Sequence, residues 1–315
     1  TGFINGGSTV RWNGADRATT WISSTKLQAT ILTSDLVNPG PANVTVFNTG
    51  PGGGTSSPAL VFTIATSQPV ITSLNPNTHS VISPTFTLTV TGSNFVNPSG
   101  LPRDSVILWY DGSITTTLTT TIVSSSTLTG NVPTGLFTTA GVYSVTVLNP
   151  DPSPPGDKLS NRLPFTVTNP LPAISALNPT FTVSGGVSFT LRVTGTNFIN
   201  GASSIYLTGT QLADSTWISS TVLTATVPSS FLVNPAFLGV AVQTTGPGGG
   251  TSNTLFFGVD NQPATLLTIT PITGTVFSPL NIGVFGSNIA PGTQLRWNTT
   301  TLSATIVISP SELAA

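Results

Sequence analysis

Four copies of one segment lie along this chain, and that repetition constrains the fold more than any other feature, because each copy must build the same structural unit. Gly-Phe-Ile-Asn at 2–5 returns as Asn-Phe-Val-Asn at 94–97, Asn-Phe-Ile-Asn at 197–200 and Asn-Ile-Ala-Pro at 288–291, at offsets of 92, 103 and 91 residues. The segments downstream keep their order. Val-Arg-Trp-Asn-Gly at 10–14 recurs as Leu-Arg-Trp-Asn at 295–298, Trp-Ile-Ser-Ser-Thr at 21–25 recurs at 217–221, and Gly-Pro-Gly-Gly-Gly-Thr occupies both 50–55 and 246–251.

Within a unit the runs are short, rich in Thr, Val, Ile and Phe, and separated by Gly, Pro, Asn and Ser, which reads as strands joined by turns. No helix of normal length is visible. The third unit predicts strands near 172–178, 187–195, 204–208, 214–218, 222–227, 237–243 and 253–259. Seven strands in about ninety residues point to a two-sheet sandwich. Alternation agrees, since Phe189, Leu191 and Val193 share one face while Thr190, Arg192 and Thr194 take the other.

The motifs carry a family likeness. Leu-Asn-Pro at 74–76 and 177–179, Val-Thr-Gly-Ser-Asn-Phe at 90–95, Val-Thr-Gly-Thr-Asn-Phe at 193–198 and the two Gly-Pro-Gly-Gly-Gly-Thr segments resemble bacterial IPT/TIG domains over almost the whole chain. The resemblance implies an all-β chain of tandem immunoglobulin-like β-sandwiches of the kind found in bacterial surface proteins, similar to domains of plexins and Rel-type transcription factors. It implies no shared catalytic residues. The second unit departs from the pattern with extra residues around 98–104 and a longer hairpin at 150–158, two loops where a function particular to that repeat would sit.

The expected modules are a partial repeat at 1–66 without its first strands, complete repeats at 69–168 and 171–259, and a partial repeat at 263–315 without its last strands. Linkers of a few residues, each containing proline, join them and cannot swing freely. Strands of about ten residues at ~3.3 Å each give modules some 30–40 Å long, so end-to-end stacking predicts a stiff rod over ~100 Å. The broken end units read as a window on a longer repeat protein; the sharper alternative has one copy's terminal strands completing another's sandwich.

Composition narrows the function. Eight Lys and Arg and nine Asp and Glu in 315 residues leave a surface of hydroxyls and amides, and a net charge of −1 gives little repulsion between copies. Cys and Met are absent, so neither a disulfide framework nor a thiolate site exists. No apolar run approaches the roughly 18 residues of a membrane span. Eight dispersed cations cannot form the basic stripe that phosphate contacts demand, so no nucleic-acid partner is expected.

Catalytic constellations find little support. His79 is the only histidine and reads as a solvated turn residue after Leu-Asn-Pro, and neither a Gly-x-Ser-x-Gly elbow nor His-Glu-x-x-His occurs. The nearest acid pairs, Asp104 with Asp111 and Asp151 with Asp157, flank turns; capping of the local backbone and a loop calcium site are the two readings. The Gly-rich segments read as hairpins, because no Gly-Lys-Ser/Thr follows them. No enzyme activity and no cofactor are expected.

Aromatic residues are the remaining candidates. Trp12, Tyr110, Leu207 and Trp297 align on one strand and share a face with Val10, Leu108, Ile205 and Leu295, which reads as core. Alternation then turns Trp109 and Tyr206 outward as exposed rings for sugar stacking or subunit contact. Trp21 and Trp217 occupy a matched position where the second repeat has Ile122, so packing or a glycan platform is expected of them. Asn43 and Asn298 head sequons, and the Thr-rich stretch 115–121 is open to O-linked sugar.

The expectation is a non-enzymatic structural protein of the extracellular bacterial cell surface, whose rigid repeats form or assemble into a filament, stalk or sheath, with neighbouring copies as partners. The alternatives are an adhesin or carbohydrate-binding array touching surface glycans, and accessory modules of a larger secreted enzyme.

Overall fold

The computed structural model describes residues 2–96, 104–151, 156–276, 278–302 and 305–314. It is all-β: among the described residues the only helical segments are 3-10 turns at Thr33–Asp35, Thr134–Leu136 and Ser229–Leu232. Contacts group the chain into two units, Thr1–Asn169 and Pro170–Ala315. Each holds one complete sandwich and one incomplete one.

The third repeat shows the plan. Its strands are β1 (Ala173–Asn178), β2 (Phe181–Val183), β3 (Phe189–Thr196), β4 (Ser203–Leu207), β5 (Thr210–Gln211), β6 (Thr216–Ser219), β7 (Val222–Val227), β8 (Ala236–Thr244), β9 (Gly250–Thr251) and β10 (Leu255–Asp260). One sheet has the order β1-β3-β7-β6; the other runs β2-β10-β8-β4-β5, with β9 beside β8. All seven strands expected from the sequence are present. Three short ones, β2, β5 and β9, went unseen because two or three residues are too few to show a period of two. Of these, β2 matters most, since it pairs parallel with β10 and closes the sheet edge.

Between the sheets lie Leu191, Val193, Ile205, Leu207, Leu223, Val240, Val242 and Phe257, all buried. The alternation read from 189–194 holds: Leu191 and Val193 are buried, Phe189 packs against the same core, and Thr190 and Arg192 are exposed.

The Val-Thr-Gly-x-Asn-Phe motif is explained by what each residue does. The glycine lies at a bulge in the antiparallel pairing with the first strand: a Cβ at Gly195 would stand 2.1 Å from the Ala173 carbonyl oxygen, and one at Gly92 would stand 2.0 Å from that of Val70. The asparagine takes a positive φ, 63° at Asn94, 64° at Asn197 and 58° at Asn288, a region that Asn tolerates better than most residues. From there its Nδ2 donates to a linker carbonyl: Asn94 to Gln68 at 2.9 Å, Asn197 to Leu171 at 2.9 Å and Asn288 to Pro263 at 3.2 Å. The aromatic that follows, Phe95 or Phe198, enters the core. One hexapeptide thus ties a linker to the module that follows it.

The second repeat has the same layers. A four-stranded sheet is built from Val70–Asn75, Phe86–Ser93, Thr127–Val132 and Thr119–Ser124, and it faces a sheet containing Val106–Tyr110, Gly141–Asn149 and Leu163–Thr168. Tyr143 donates its hydroxyl to the Thr139 carbonyl at 2.8 Å, a tyrosine corner of the immunoglobulin type, and burial raises its pKa.

The flanking repeats hold fewer strands than the two between them. Residues 8–64 form a five-stranded sheet and a separate two-stranded ribbon, Thr19–Ser23 with Lys26–Ala29. Residues 265–314 form a four-stranded sheet and the ribbon Arg296–Trp297 with Thr300–Thr301. One expectation fails here. Trp12 is buried against Phe62 at a centroid distance of 5.3 Å, whereas its counterpart Trp297 is 59% exposed.

Candidate functional site

The strand meant to carry the exposed rings is anchored by a serine. Ser203 Oγ meets Thr244 Oγ1 at 2.7 Å, Ser105 Oγ donates to Asn149 Oδ1 at 2.6 Å, and Ser8 Oγ donates to Asn48 Oδ1 at 2.5 Å. Each serine oxygen also accepts a backbone N–H, from Ile199, Val96 and Ile4 respectively. Counting from these serines, Trp109 is the counterpart of Trp12 and Leu207, and Tyr110 falls one position later.

Trp109 therefore points inward. It is 1% exposed, its ring lies 4.9 Å from Phe165 and 5.2 Å from Tyr143, and Nε1 donates to the Leu136 carbonyl at 3.1 Å. The expected surface ring is a core residue. The extra residues before Ser105 displaced the register by one, and a one-residue slip exchanges the two faces of a strand. Tyr110 takes the outward place, with the Arg162 guanidinium 5.2 Å above its ring.

Tyr206 does face outward and is half-buried. It walls a cleft of about 400 Å³ on the outer face of the β10-β8-β4 sheet, with Thr208, Gly239, Ala241, Gln243 and Thr254. The floor is low because Gly239 and Ala241 carry almost no side chain. Trp21 and Trp217 both brace the repeated Phe: Trp217 Nε1 donates to the Phe198 carbonyl at 3.0 Å and Trp21 Nε1 to that of Phe3 at 3.1 Å. Trp217 and its counterpart Ile122 pack against their cores, whereas Trp21 is 37% exposed.

Only part of the ionisable inventory behaves as expected. His79 lies on the strand Thr78–Ser80, half-buried, with its ring 4.1 Å from Phe86 and Nε2 2.9 Å from the Pro84 carbonyl oxygen. It is a packed strand residue rather than a solvated turn residue. Asp111 accepts the N–H groups of Ile114 at 2.7 Å and Ser113 at 2.8 Å, the local capping that its turn implied. Asp157 Oδ1 accepts the Asp151 N–H at 3.1 Å, and Lys158 Nζ lies 3.7 Å from Asp151 Oδ2.

A profile of the IPT/TIG domain matches residues 69–167 and 172–257, which together are more than half of the sequence. The chain belongs to the IPT/TIG domain family. The two matched segments are the two complete sandwiches, and domains of this family are typically extracellular. No curated protein matches the sequence. Among solved structures, the Yersinia pseudotuberculosis adhesin InvE is 12% identical, with 76% of this chain and 71% of that one covered and a TM-score of 0.39. The plexin A4 extracellular region is 10% identical at a TM-score of 0.26, covering 98% of this chain and 42% of that one, so the chain spans less than half of that length. The titin fragment I67–I69 is 11% identical at a TM-score of 0.34, covering 80% and 87%.

Within these IPT/TIG modules the remaining candidates are peripheral. Asn43 is exposed, with its backbone N–H given to Asn13 Oδ1 at 2.8 Å, and Asn298 is exposed at a turn with φ 53°. Thr115, Thr117, Thr119 and Thr121 are exposed. Most of the two loops singled out in the second repeat, residues 97–103 and 152–155, lies outside the described residues. No helix among the described residues is long and apolar enough to cross a membrane.

The Asp111 cap carries a pH prediction. The Ile114 and Ser113 N–H groups hold its carboxyl below the usual carboxylate range. A pKa lowered by folding gives stability that is present above the unfolded value, about 3.9, and is lost as pH falls through the folded value. Acid titration of the second repeat, followed by melting temperature, should therefore show a shallower loss below about pH 4 for Asp111→Asn than for wild type. Identical acid limbs would mean that the carboxylate is not held in solution.

Proposed function

We propose that this chain is a non-enzymatic structural part of a bacterial extracellular surface assembly, in which IPT/TIG repeats form a filament, stalk or sheath with neighbouring copies as partners. What supports this reading is the junction clamp. The linker carbonyls of Gln68, Leu171 and Pro263 each accept a bond from the positive-φ asparagine of the next module, and Asn149 adds a bond to the Ser67 carbonyl at 3.0 Å. The same clamp fixes where the first strand begins in each of three successive modules, a device that suits a serial array of like modules better than a protein that closes around a substrate. The chain's 17 formal charges and net charge of −1 remove the repulsion that keeps most extracellular proteins apart.

The perturbed ionisable groups are accounted for structurally. Arg17 and Asp35 pair with each other, Asp111 caps a turn, and Tyr143 forms the corner. None leaves a general acid or base poised over a cleft. Electron microscopy of native material and of concentrated purified protein tests the reading. Ordered polymers or sheaths are expected, and dispersed single molecules in both samples would overturn it.

A further inference from the structure

The outer face of the β2-β10-β8-β4 sheet in the third repeat is unlike its counterparts. Leu238, Val240, Val242, Phe257 and Val259 point inward, so by alternation Phe237, Phe256 and Gly258 point outward. Phe237 is 79% exposed, Phe256 67% and Phe181 58%. The register places Phe181, Gly258 and Phe237 in one row across three strands and sets Phe256 opposite Gly239. A Cβ on Gly258 would touch Phe181 at 3.4 Å and the Phe237 ring at 3.9 Å; the glycine is itself buried and forms the low floor between the two rings. Gly239 is a second hollow, between Phe256 and the Tyr206 cleft.

Neither the first nor the second repeat has this surface. Where the third repeat carries Phe181, Phe237, Phe256, Gly239 and Gly258, the registers give Thr78, Val142, Pro164, Ser144 and Thr166 in the second. In the first, Pro41, Val61 and Thr63 stand for Phe237, Phe256 and Gly258. The fold therefore does not need the rings. Solvated rings cost free energy in a monomer, and exposed apolar clusters of this kind mark contact surfaces.

We infer that this face packs against the same face of a second copy of the chain, a deepening that rests on the self-assembly reading above. The face offers both knobs and hollows, so a two-fold axis through it sets the Phe237 and Phe256 rings of one copy over Gly258 and Gly239 of the other. The three rings expose on the order of 400 Å² of apolar surface. With a rim of Tyr206, Gln243 and Thr254 that suits the apolar centre of a standard interface of roughly 800 Å² per partner. Asp260 stands at the edge of the face, where its Oδ1 would lie 3.7 Å from a Cβ on Gly258, and the rings themselves carry no charge to repel a copy. A glycan is the poorer occupant, because the Phe181–Gly258–Phe237 row offers no polar group to a sugar's hydroxyls.

Sedimentation velocity over a concentration series tests the inference on the full chain. Wild type should associate, and Phe237→Thr/Phe256→Thr should weaken association on the order of 30-fold or more, as loss of central interface rings does. Gly258→Thr fills the hollow with the residue the second repeat already carries, keeps all three rings, and should weaken association as well. Leu60→Thr/Val61→Thr, which removes exposed apolar groups from the first repeat, should leave association as in wild type. Ring and hollow variants that associate as wild type does would overturn this face while leaving the assembly reading standing. A wild type monomeric at every concentration would overturn it too; if that chain sediments with cellulose or chitin through Phe237 and Phe256, the occupant is a glycan.

Discussion

Trp109→Ala should lower the stability of the second repeat by about 3–5 kcal/mol, the range for deleting a large buried aromatic ring. For a module of this size that is a fall in melting temperature of about 15–30 °C. The ring is 1% exposed, touches Phe165 and Tyr143, and holds the Leu136 carbonyl through Nε1, so its loss leaves both a cavity and an unpaired acceptor. Tyr206→Ala on the equivalent strand of the third repeat should change its melting temperature by only a few degrees, since that ring faces solvent and its hydroxyl makes only a 3.4 Å contact with Gln211. Calorimetry on the two variants separates these outcomes. A Trp109→Ala protein melting within a few degrees of wild type would show that this strand is turned the other way.

The contrast between those two residues marks how far the sequence could be read. Period-two alternation identified the strands and the sandwich, because burial between two sheets leaves a signal in every second residue, as at Leu191 and Val193. Register across repeats was harder. Aligning aromatic with aromatic put Tyr110 beside Trp12, although the conserved partner was the serine that ties the strand to its neighbour, at Ser8, Ser105 and Ser203. A hydroxyl that accepts one backbone N–H and meets one side chain fixes a position more sharply than a ring that fills space. Burial, moreover, belongs to the pair of sheets and not to one strand, as the contrast of Trp12 under Phe62 with the exposed Trp297 illustrates.

The aromatic face left a signal that propensity alone could not interpret. In Ala-Phe-Leu-Gly-Val-Ala-Val at 236–242, assigning Leu238, Val240 and Val242 to the core forces Phe237 outward, and the same parity expels Phe256 from 255–259. Both phenylalanines read as core when each run is taken as simply hydrophobic. Only parity, combined with the glycines at 239 and 258, shows that the rings stand over hollows on the solvent side.

Gly195→Ala should be the most damaging conservative change in the third repeat, costing about 3 kcal/mol or more through backbone displacement. Its Cβ would stand 2.1 Å from the Ala173 carbonyl oxygen, 2.6 Å from the Phe198 ring and 3.0 Å from the Ile174 Cα. No rotamer change relieves a clash with backbone on one side and a core ring on the other. The strand cannot retreat either, since the Gly195 N–H is held by the Thr221 carbonyl at 2.9 Å. The first strand, Ala173–Asn178, must therefore move. It follows directly from Leu171, whose carbonyl the Asn197 side chain holds, so the displacement reaches the junction. Hydrogen exchange should show residues 170–178 losing protection well before β7 and β8, and calorimetry should show the third repeat melting at least about 10 °C lower. Gly141→Ala is the matched control: nothing lies within 4 Å of its added methyl, and its stability should stay within about 1 kcal/mol of wild type. Equal effects from the two alanines would mean that the glycine of the repeat motif serves flexibility rather than close approach, and that the start of the first strand is not set by its close pairing with β3.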